Sequence, residues 1–257
     1  PPREKNKDIK KINGLIKLLN SSMRPLFIAG GGLRVSYQTK KFLGLVNKKN
    51  IPFITTWAAQ DIVNTDHKLY SGSLGRHAHL SASNLAKNAD LIITFGVRFS
   101  PKIVTKYFAE NSKVISIDID YGELSEGLFN PNIKINLDLK KFFLKLDTNK
   151  IKKFNQKKWL SSIIYEKKNN FRNFLELSSK ESNKFVNPYS FLESFSKKVS
   201  DNSILLTDAG CNLTYFMQSF SSKKKQRIIS AWGNSPMGYS VAAGIGAKIA
   251  KRNNYHS

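Results

Sequence analysis

The stretch PLFIAGGG, Pro25 to Gly32, decides the fold. A short apolar run that ends in glycine is the pattern of a strand buried on both faces. The three glycines Gly30, Gly31 and Gly32 allow a tight exit from such a strand toward a helix. A helical pattern follows, with Phe42, Leu43, Leu45 and Val46 set among lysines. Moving outward, IPFITT (Ile51 to Thr56), ADLIITFGVR (Ala89 to Arg98), SKVISIDID (Ser112 to Asp120) and NIKINL (Asn132 to Leu137) repeat the same signature, and a short helix runs through Phe142 to Leu146. Short apolar strands alternating with helical patterns predict an α/β fold. We read residues 20–146 as a Rossmann-like domain, a parallel sheet covered on both faces. Trp57 to Ser83 reads as one long irregular stretch, a length of loop that is often functional.

Residues 147–186 change character, becoming a Lys/Asn-rich helical linker. Its apolar positions Trp159, Ile163, Tyr165, Phe171, Phe174 and Leu175 suit an amphipathic helix or two. Asn187-Pro188 signals a helix start. The order PYSFLESFSKKV, SILLTDAG, CNLTYFMQ, RIISAW, MGYSVAAGIGAKIA then predicts helix, strand, helix, strand and a small-residue helix from Met237. Residues 187–257 therefore read as an incomplete second α/β domain, and residues 1–19 as a linker from a preceding domain. The last residues, KRNNYHS, stand where one more buried strand is expected, which is the organisation of a fragment.

Composition narrows the function classes. The 257 residues are 40% hydrophobic and 11% aromatic, enough to build a core and unlike a disordered chain. No apolar run approaches the roughly 18 residues that span a bilayer, and PPREKNKDIKK is not a secretory signal. A single cysteine excludes an internal disulfide, so the expectation is a soluble cytoplasmic protein. The net charge is +24, but only 8 of the 42 basic residues are arginine. Base readout and bidentate phosphate clamping favour the planar guanidinium, and no finger, RNP1 strand or GXXG loop is present. A dedicated nucleic-acid surface is therefore not expected.

Each local motif has a plain reading beside a functional one. Gly30-Gly31-Gly32 is placed to let phosphate approach the backbone, or is simply a tight turn. GIGAKIA, Gly244 to Ala250, lies inside a helical pattern, where close helix packing explains it better than a dinucleotide site. Asp118 and Asp120 end a strand, where a carboxylate can meet a ribose hydroxyl or cap the next turn. His77 and His79 lack the neighbours of a zinc site. Cys211 opens a helix, where a reactive thiol could sit, but no partner histidine can be placed, and a small residue at a crowded turn is the favoured reading.

Together the strings RPLFIAGGG, IPFITTW, DHKLYSGSLGRHA, NADLIITFGVRF, VISIDID, ILLTDAG and MGYSVAAGIGAK resemble, in order and spacing, the thiamine diphosphate-dependent enzymes of the acetolactate synthase type. The resemblance covers most of Arg24 to Lys248. It implies a central Rossmann-like domain followed by the start of a diphosphate-binding domain, with a pyrimidine-binding domain preceding both. It places the turn Ala209-Gly210-Cys211-Asn212 on the cofactor diphosphate and Met237 under the bent thiamine. Ser235 takes the position of a family glycine, and Cys211-Asn212 stand where the family often has glutamine then histidine.

In the central domain the resemblance puts Gly30, Gly31, Gly32, Thr56, His77, Gly96, Val97, Arg98, Asp118 and Asp120 at positions near a flavin, FAD. Phe99-Ser100-Pro101-Lys102, however, stand where the flavin pattern is acidic and then arginine, and relatives without flavin keep the fold. The implied activity is that of a transferase or lyase on 2-keto acids, in which decarboxylation is followed by carboligation or protonation. The glutamate that serves thiamine and the Mg2+ ligands would lie outside this chain, so the chain alone is expected to be inactive. The implied assembly is a homodimer or homotetramer. A non-catalytic nucleotide-binding or regulatory module is the alternative.

Overall fold

A computed structural model describes residues 6–75, 77–101, 103–104, 108–170 and 185–253. Six strands, β1 (Pro25–Ala29), β2 (Phe53–Thr55), β3 (Tyr70–Ser73), β4 (Leu91–Phe95), β5 (Lys113–Asp118) and β6 (Ile133–Asn136), form one sheet in the order β3-β2-β1-β4-β5-β6, every pair parallel. That is the doubly wound order, whose direction of winding reverses between β1 and β4.

Alternate residues explain why helices cover both faces. Phe27, Phe53, Ile93, Phe95, Ile115, Ile117 and Ile135 point to one side. There they meet α1 (Asn6–Ser21), α3 (Thr39–Lys49) and α6 (Leu139–Lys145) through Leu15, Phe42 and Phe142. Leu26, Ile28, Ile54, Ile92 and Val114 point to the other side. They meet α4 (Leu80–Asn88) and α7 (Lys157–Asn170) through Leu85, Trp159 and Ile163. Between these lie the short helices α2 (Gly32–Val35) and α5 (Tyr121–Glu126).

Three findings differ from the sequence reading. Most of the segment read as a linker, residues 1–19, lies in α1, and its Ile12, Leu15, Ile16 and Leu19 are buried on the sheet. That i, i+3, i+4, i+7 stripe is interrupted by Asn13, Gly14 and Lys17 and preceded by Lys10 and Lys11, which obscured it. Trp57 to Ser83 is not irregular: it holds a 3-10 helix (Trp57–Ile62), the edge strand β3 and the start of α4. β3 is Tyr-Ser-Gly-Ser, fully buried yet almost without aliphatic side chains, so an apolar-run criterion passes over it. Finally, α7 packs on the central sheet, where Trp159 Nε1 donates to the Pro25 carbonyl at 3.0 Å, while Tyr165 is exposed. Phe171, Phe174 and Leu175 lie outside the described residues.

The second unit contains α8 (Pro188–Lys198), β7 (Ile204–Leu206), α9 (Cys211–Ser219), β8 (Arg227–Ile229) and α10 (Tyr239–Asn253), with β7 and β8 parallel. Asn187 Oδ1 accepts from the N–H groups of Tyr189 and Ser190 ahead of Pro188, so the Asn-Pro start is an N-cap with proline in the first turn. Leu205, Leu213, Phe216, Met217, Phe220 and Ile228 form its core, with Trp57 of the central unit packed against them. A side chain added at Gly244 or Gly246 would meet nothing within 4 Å. Close packing among the described residues therefore does not account for GIGAKIA.

The two units meet along the 3-10 helix. Asp61, only 2% exposed at its side chain, accepts from Arg34 Nη2 at 2.8 Å, Arg227 Nε at 3.0 Å and the Ile228 N–H at 3.0 Å. Gln60 Nε2 donates to the Met217 carbonyl, and the Ser222 N–H donates to Thr65 Oγ1. One buried carboxylate thus ties a helix of the first unit to a strand of the second. Among the described residues no helix is long and apolar enough to cross a membrane.

Candidate functional site

β7 runs out through Thr207 and Asp208 into Ala209 and Gly210, and α9 begins at Cys211. Gly210 holds φ +104, a backbone that L side chains rarely adopt, and gives the helix no side-chain cap. The Thr214 N–H returns to the Gly210 carbonyl, and the Leu213 N–H is taken by Asn212 Oδ1 at 2.7 Å. Among the described residues the N–H groups of Cys211 and Asn212 have no acceptor. A side chain placed on Gly210 would meet only Asn212 Oδ1, at 3.9 Å, so the space beside Gly210 is open. Thr207 Oγ1, just ahead of the turn, is buried without a partner. Cys211 and Asn212 are themselves exposed.

A second loop stands beside this turn. After β8 the chain passes Ser235 (φ +49), Met237 and Gly238 (φ +83) into α10. Met237 is 92% exposed, so its thioether is presented rather than packed. Asp208 joins the two loops. Its Oδ1 accepts from the N–H groups of Ala209 (2.8 Å) and Gly238 (3.1 Å), and its Oδ2 accepts from the N–H (3.2 Å) and Oγ (2.9 Å) of Ser240. The Ala209 N–H and the Ser240 hydroxyl lead the donors that hold its carboxyl below the usual carboxylate range. Ala209, Gly210, Cys211, Asn212, Ser235 and Met237 are thus brought to one edge of the β7–β8 pair. Asp208, which the sequence reading left without a role, connects them.

The central residues gather elsewhere, at the carboxyl ends of β1, β4 and β5. The Gly30 N–H donates to the Phe95 carbonyl at 2.9 Å and the Gly32 N–H to the Gly96 carbonyl at 3.0 Å. A Cβ on Gly30 would lie 2.0 Å from the Gly96 oxygen, and one on Gly32 2.7 Å from Gly96 Cα. These two glycines are required by backbone pressing on backbone. Gly96 itself has φ +60, and Gly31 faces Ala58. Thr56 and Val97 are buried, and the Thr56 N–H continues the ladder onto Ala29.

Asp118 is half-buried and its Oδ1 accepts the Asp120 N–H. Burial, reinforced by Glu123 and Asp120, pushes its carboxyl above the usual range. Asp120 caps α5, accepting from the Gly122 and Glu123 N–H groups. Arg98 is exposed and reaches Glu123 at 3.7 Å. His77 is exposed and its carbonyl accepts from Gln218 of α9, whereas His79 is buried with Nδ1 taking the Ser73 N–H. Among the described residues no group of three or more His, Cys, Asp or Glu could hold a metal ion.

The family model of the thiamine pyrophosphate enzyme central domain matches residues 12–146, and that of the C-terminal thiamine pyrophosphate-binding domain matches residues 208–256. This chain belongs to the thiamine pyrophosphate enzymes. It is 30% identical over 257 residues to the probable acetolactate synthase large subunit of Methanococcus aeolicus, an alignment covering 94% of this chain and 42% of that protein. It is 29% identical over 247 residues to the acetolactate synthase large subunit of Lactococcus lactis subsp. lactis, covering 95% and 42%. With that of Cyanidium caldarium it shares 30% over 253 residues, again 95% and 42%. The chain therefore spans 42% of the length of these curated relatives. The second family match begins at Asp208, the residue that opens the open-amide turn.

Proposed function

We propose that this chain is the central domain and the beginning of the diphosphate-binding domain of an acetolactate synthase-like enzyme acting on 2-keto acids. The proposed division is a central domain that runs through residue 146 and includes α1, a helical connection over 147–186 whose α7 packs on the central sheet, and the diphosphate-binding part over 187–257. The observation that carries this reading is the α9 N-terminus, where two exposed residues with amides lacking acceptors among the described residues follow a glycine in a backbone that L side chains rarely adopt. Amides of this kind, at the positive end of a helix, are what a diphosphate needs. The residues present fit the cofactor.

In the proposed arrangement the Cys211 and Asn212 N–H groups bind the diphosphate, with Ala209 and Gly210 shaping the turn. Met237 supports the thiamine from the neighbouring loop. Its exposure suits a side chain that a ligand covers, and a thioether adapts to an aromatic surface. When bound, thiamine diphosphate supplies the electron sink for decarboxylating a 2-keto acid. The protein's share here is to hold the cofactor and keep its anionic end on the helix.

We assign the Mg2+ ligands and the proton-transfer glutamate to parts of the protein outside this chain, and expect the chain alone to be inactive. The expected assembly is a cytoplasmic homodimer or homotetramer. For FAD the fit is not made. Gly30 and Gly32 are taken up by Gly96, Asp120 by the α5 cap and Arg98 by Glu123, and no step is routed through a flavin.

Calorimetric titration of the full-length protein with thiamine diphosphate and Mg2+ tests the reading. Saturable binding is expected. A flat titration at about millimolar cofactor, well above the affinities of useful cofactor sites, overturns it. Release of carbon dioxide from a 2-keto acid by residues 1–257 alone would overturn the claim of inactivity.

A further inference from the structure

Two helices begin at the same edge of the β7–β8 pair, α9 at Cys211 and α10 at Tyr239. Each start carries N–H groups that its own helix cannot use, together with the positive end of a helix dipole. Left alike, the two would compete for one anion. They are not alike. The start of α10 already has an internal anion: Asp208 takes the Gly238 N–H, the Ser240 N–H and the Ser240 hydroxyl. The start of α9 has none, because Gly210 brings no side chain and no acceptor reaches Cys211 or Asn212 among the described residues.

Resting on the thiamine diphosphate reading above, we propose that Asp208 is a positioning residue that assigns the diphosphate to α9 and fixes the Met237 loop against it. The carboxylate sits two residues ahead of Gly210 and bonds the residue that follows Met237, so it sets the separation between the phosphate turn and the thioether. Packing does not do this. Met237 and Gly238 are exposed, and a Cβ on Gly233 or Gly238 would meet nothing within 4 Å. Ser235, at φ +49, is tied by its N–H to the Ala231 carbonyl, and Gly238, a residue free to adopt many backbone shapes, is tied by Asp208. Asparagine substitutes poorly. Its amide offers one acceptor oxygen and turns an NH2 group toward the Ser240 N–H, which can only donate, so that bond is lost even if the Ser240 hydroxyl rotates to accept.

The experiment compares full-length wild type, Asp208→Asn and Ser240→Ala. It reads thiamine diphosphate binding by calorimetry in Mg2+ and backbone hydrogen exchange by mass spectrometry without cofactor. Asp208→Asn is expected to weaken binding about tenfold or more, the loss of charge-assisted bonds, and Ser240→Ala about two- to threefold. Exchange over residues 236–241 should accelerate in Asp208→Asn while the strands of the central sheet keep their protection, a local signature that a general loss of stability does not produce.

If wild type binds cofactor and Asp208→Asn binds it equally tightly, the positioning role is overturned and the functional reading stands. If wild type fails to bind, the reading falls and the proposal falls with it. Should Asp208→Asn not fold, Ser240→Ala decides: weakened binding upholds the role and unchanged binding overturns it.

Discussion

The two units solve the same problem, a parallel sheet with helices starting at its carboxyl edge, in opposite ways. In the central unit the crevice between β1 and β4 is closed by backbone against backbone, with Gly30 and Gly32 pressed onto Gly96. Both faces of its sheet are buried, and Phe27, Phe42, Phe95 and Phe142 form a ring cluster with centroid separations of 5.0 to 6.3 Å. In the second unit the corresponding edge is open, Met237 is exposed, and Val241, Ile245 and Ile249 of α10 face outward. One edge spends its glycines on contact; the other spends Gly210 on access. The contrast teaches that a glycine at a strand end is not by itself a phosphate site, and that the decisive question is what a Cβ would touch.

The largest way to break this comparison is in the central core. Phe95→Ala removes a ring that is 1% exposed and is expected to cost about 4 kcal/mol, read by urea unfolding of the full-length protein. A cost under about 1 kcal/mol would mean that the core is not the close-packed body described. Next, Asp61→Ala leaves Arg34 and Arg227 without their carboxylate and should cost about 3 kcal/mol. Because both guanidiniums are partly exposed, the loss lies at the lower end for a broken buried pair. Proteolysis should then reach the second unit before the central one.

Gly30→Ala sharpens the comparison directly. It should destabilise by about 2 to 3 kcal/mol through overpacking and leave thiamine diphosphate affinity unchanged in the folded fraction. Gly210→Ala should cost only about 1 kcal/mol, the strain of a positive φ, and act mainly on affinity. If Gly30→Ala abolished binding and Gly210→Ala spared it, the roles of the two edges would be exchanged.

The smallest effects are those of pH, and they run in opposite directions. Asp208 binds fewer protons folded than unfolded, so its contribution is present above the ordinary carboxylate range and is lost as pH falls through its lowered pKa. Asp118, raised chiefly by burial, binds more protons folded, so stability falls as pH rises from the ordinary range through its raised value. Stability profiles from about pH 3 to 7 should therefore be flattened at the acid end by Asp208→Asn. Asp118→Asn should raise stability at neutral pH. Shifts of the same sign would contradict the assignments.

Much of this was legible in the linear chain. PLFIAGGG, IPFITT, LIITF and VISID carry runs long and apolar enough to read as strands buried on both faces, and Asn187-Pro188 announced its helix by capping chemistry local to four residues. β3 was not legible, because its burial comes from fitting small side chains beside β2 rather than from hydrophobicity. The stripe of α1 was present in the spacing but interrupted by Asn13, Gly14 and Lys17. Asp61 was not legible either, because one of its partners lies 166 residues away.

The sequence by itself therefore determined the alternation of strands and helices, the family and the two turns in which a cofactor could be sought, since each depends on residues within a few positions of one another. Only the tertiary structure decided which glycines are closed and which is open, which histidine is buried, and that Asp208 bridges two loops 30 residues apart. Those outcomes depend on distances between segments remote in the chain. Such distances are set by the packing of the whole sheet, and no local pattern of residues encodes them.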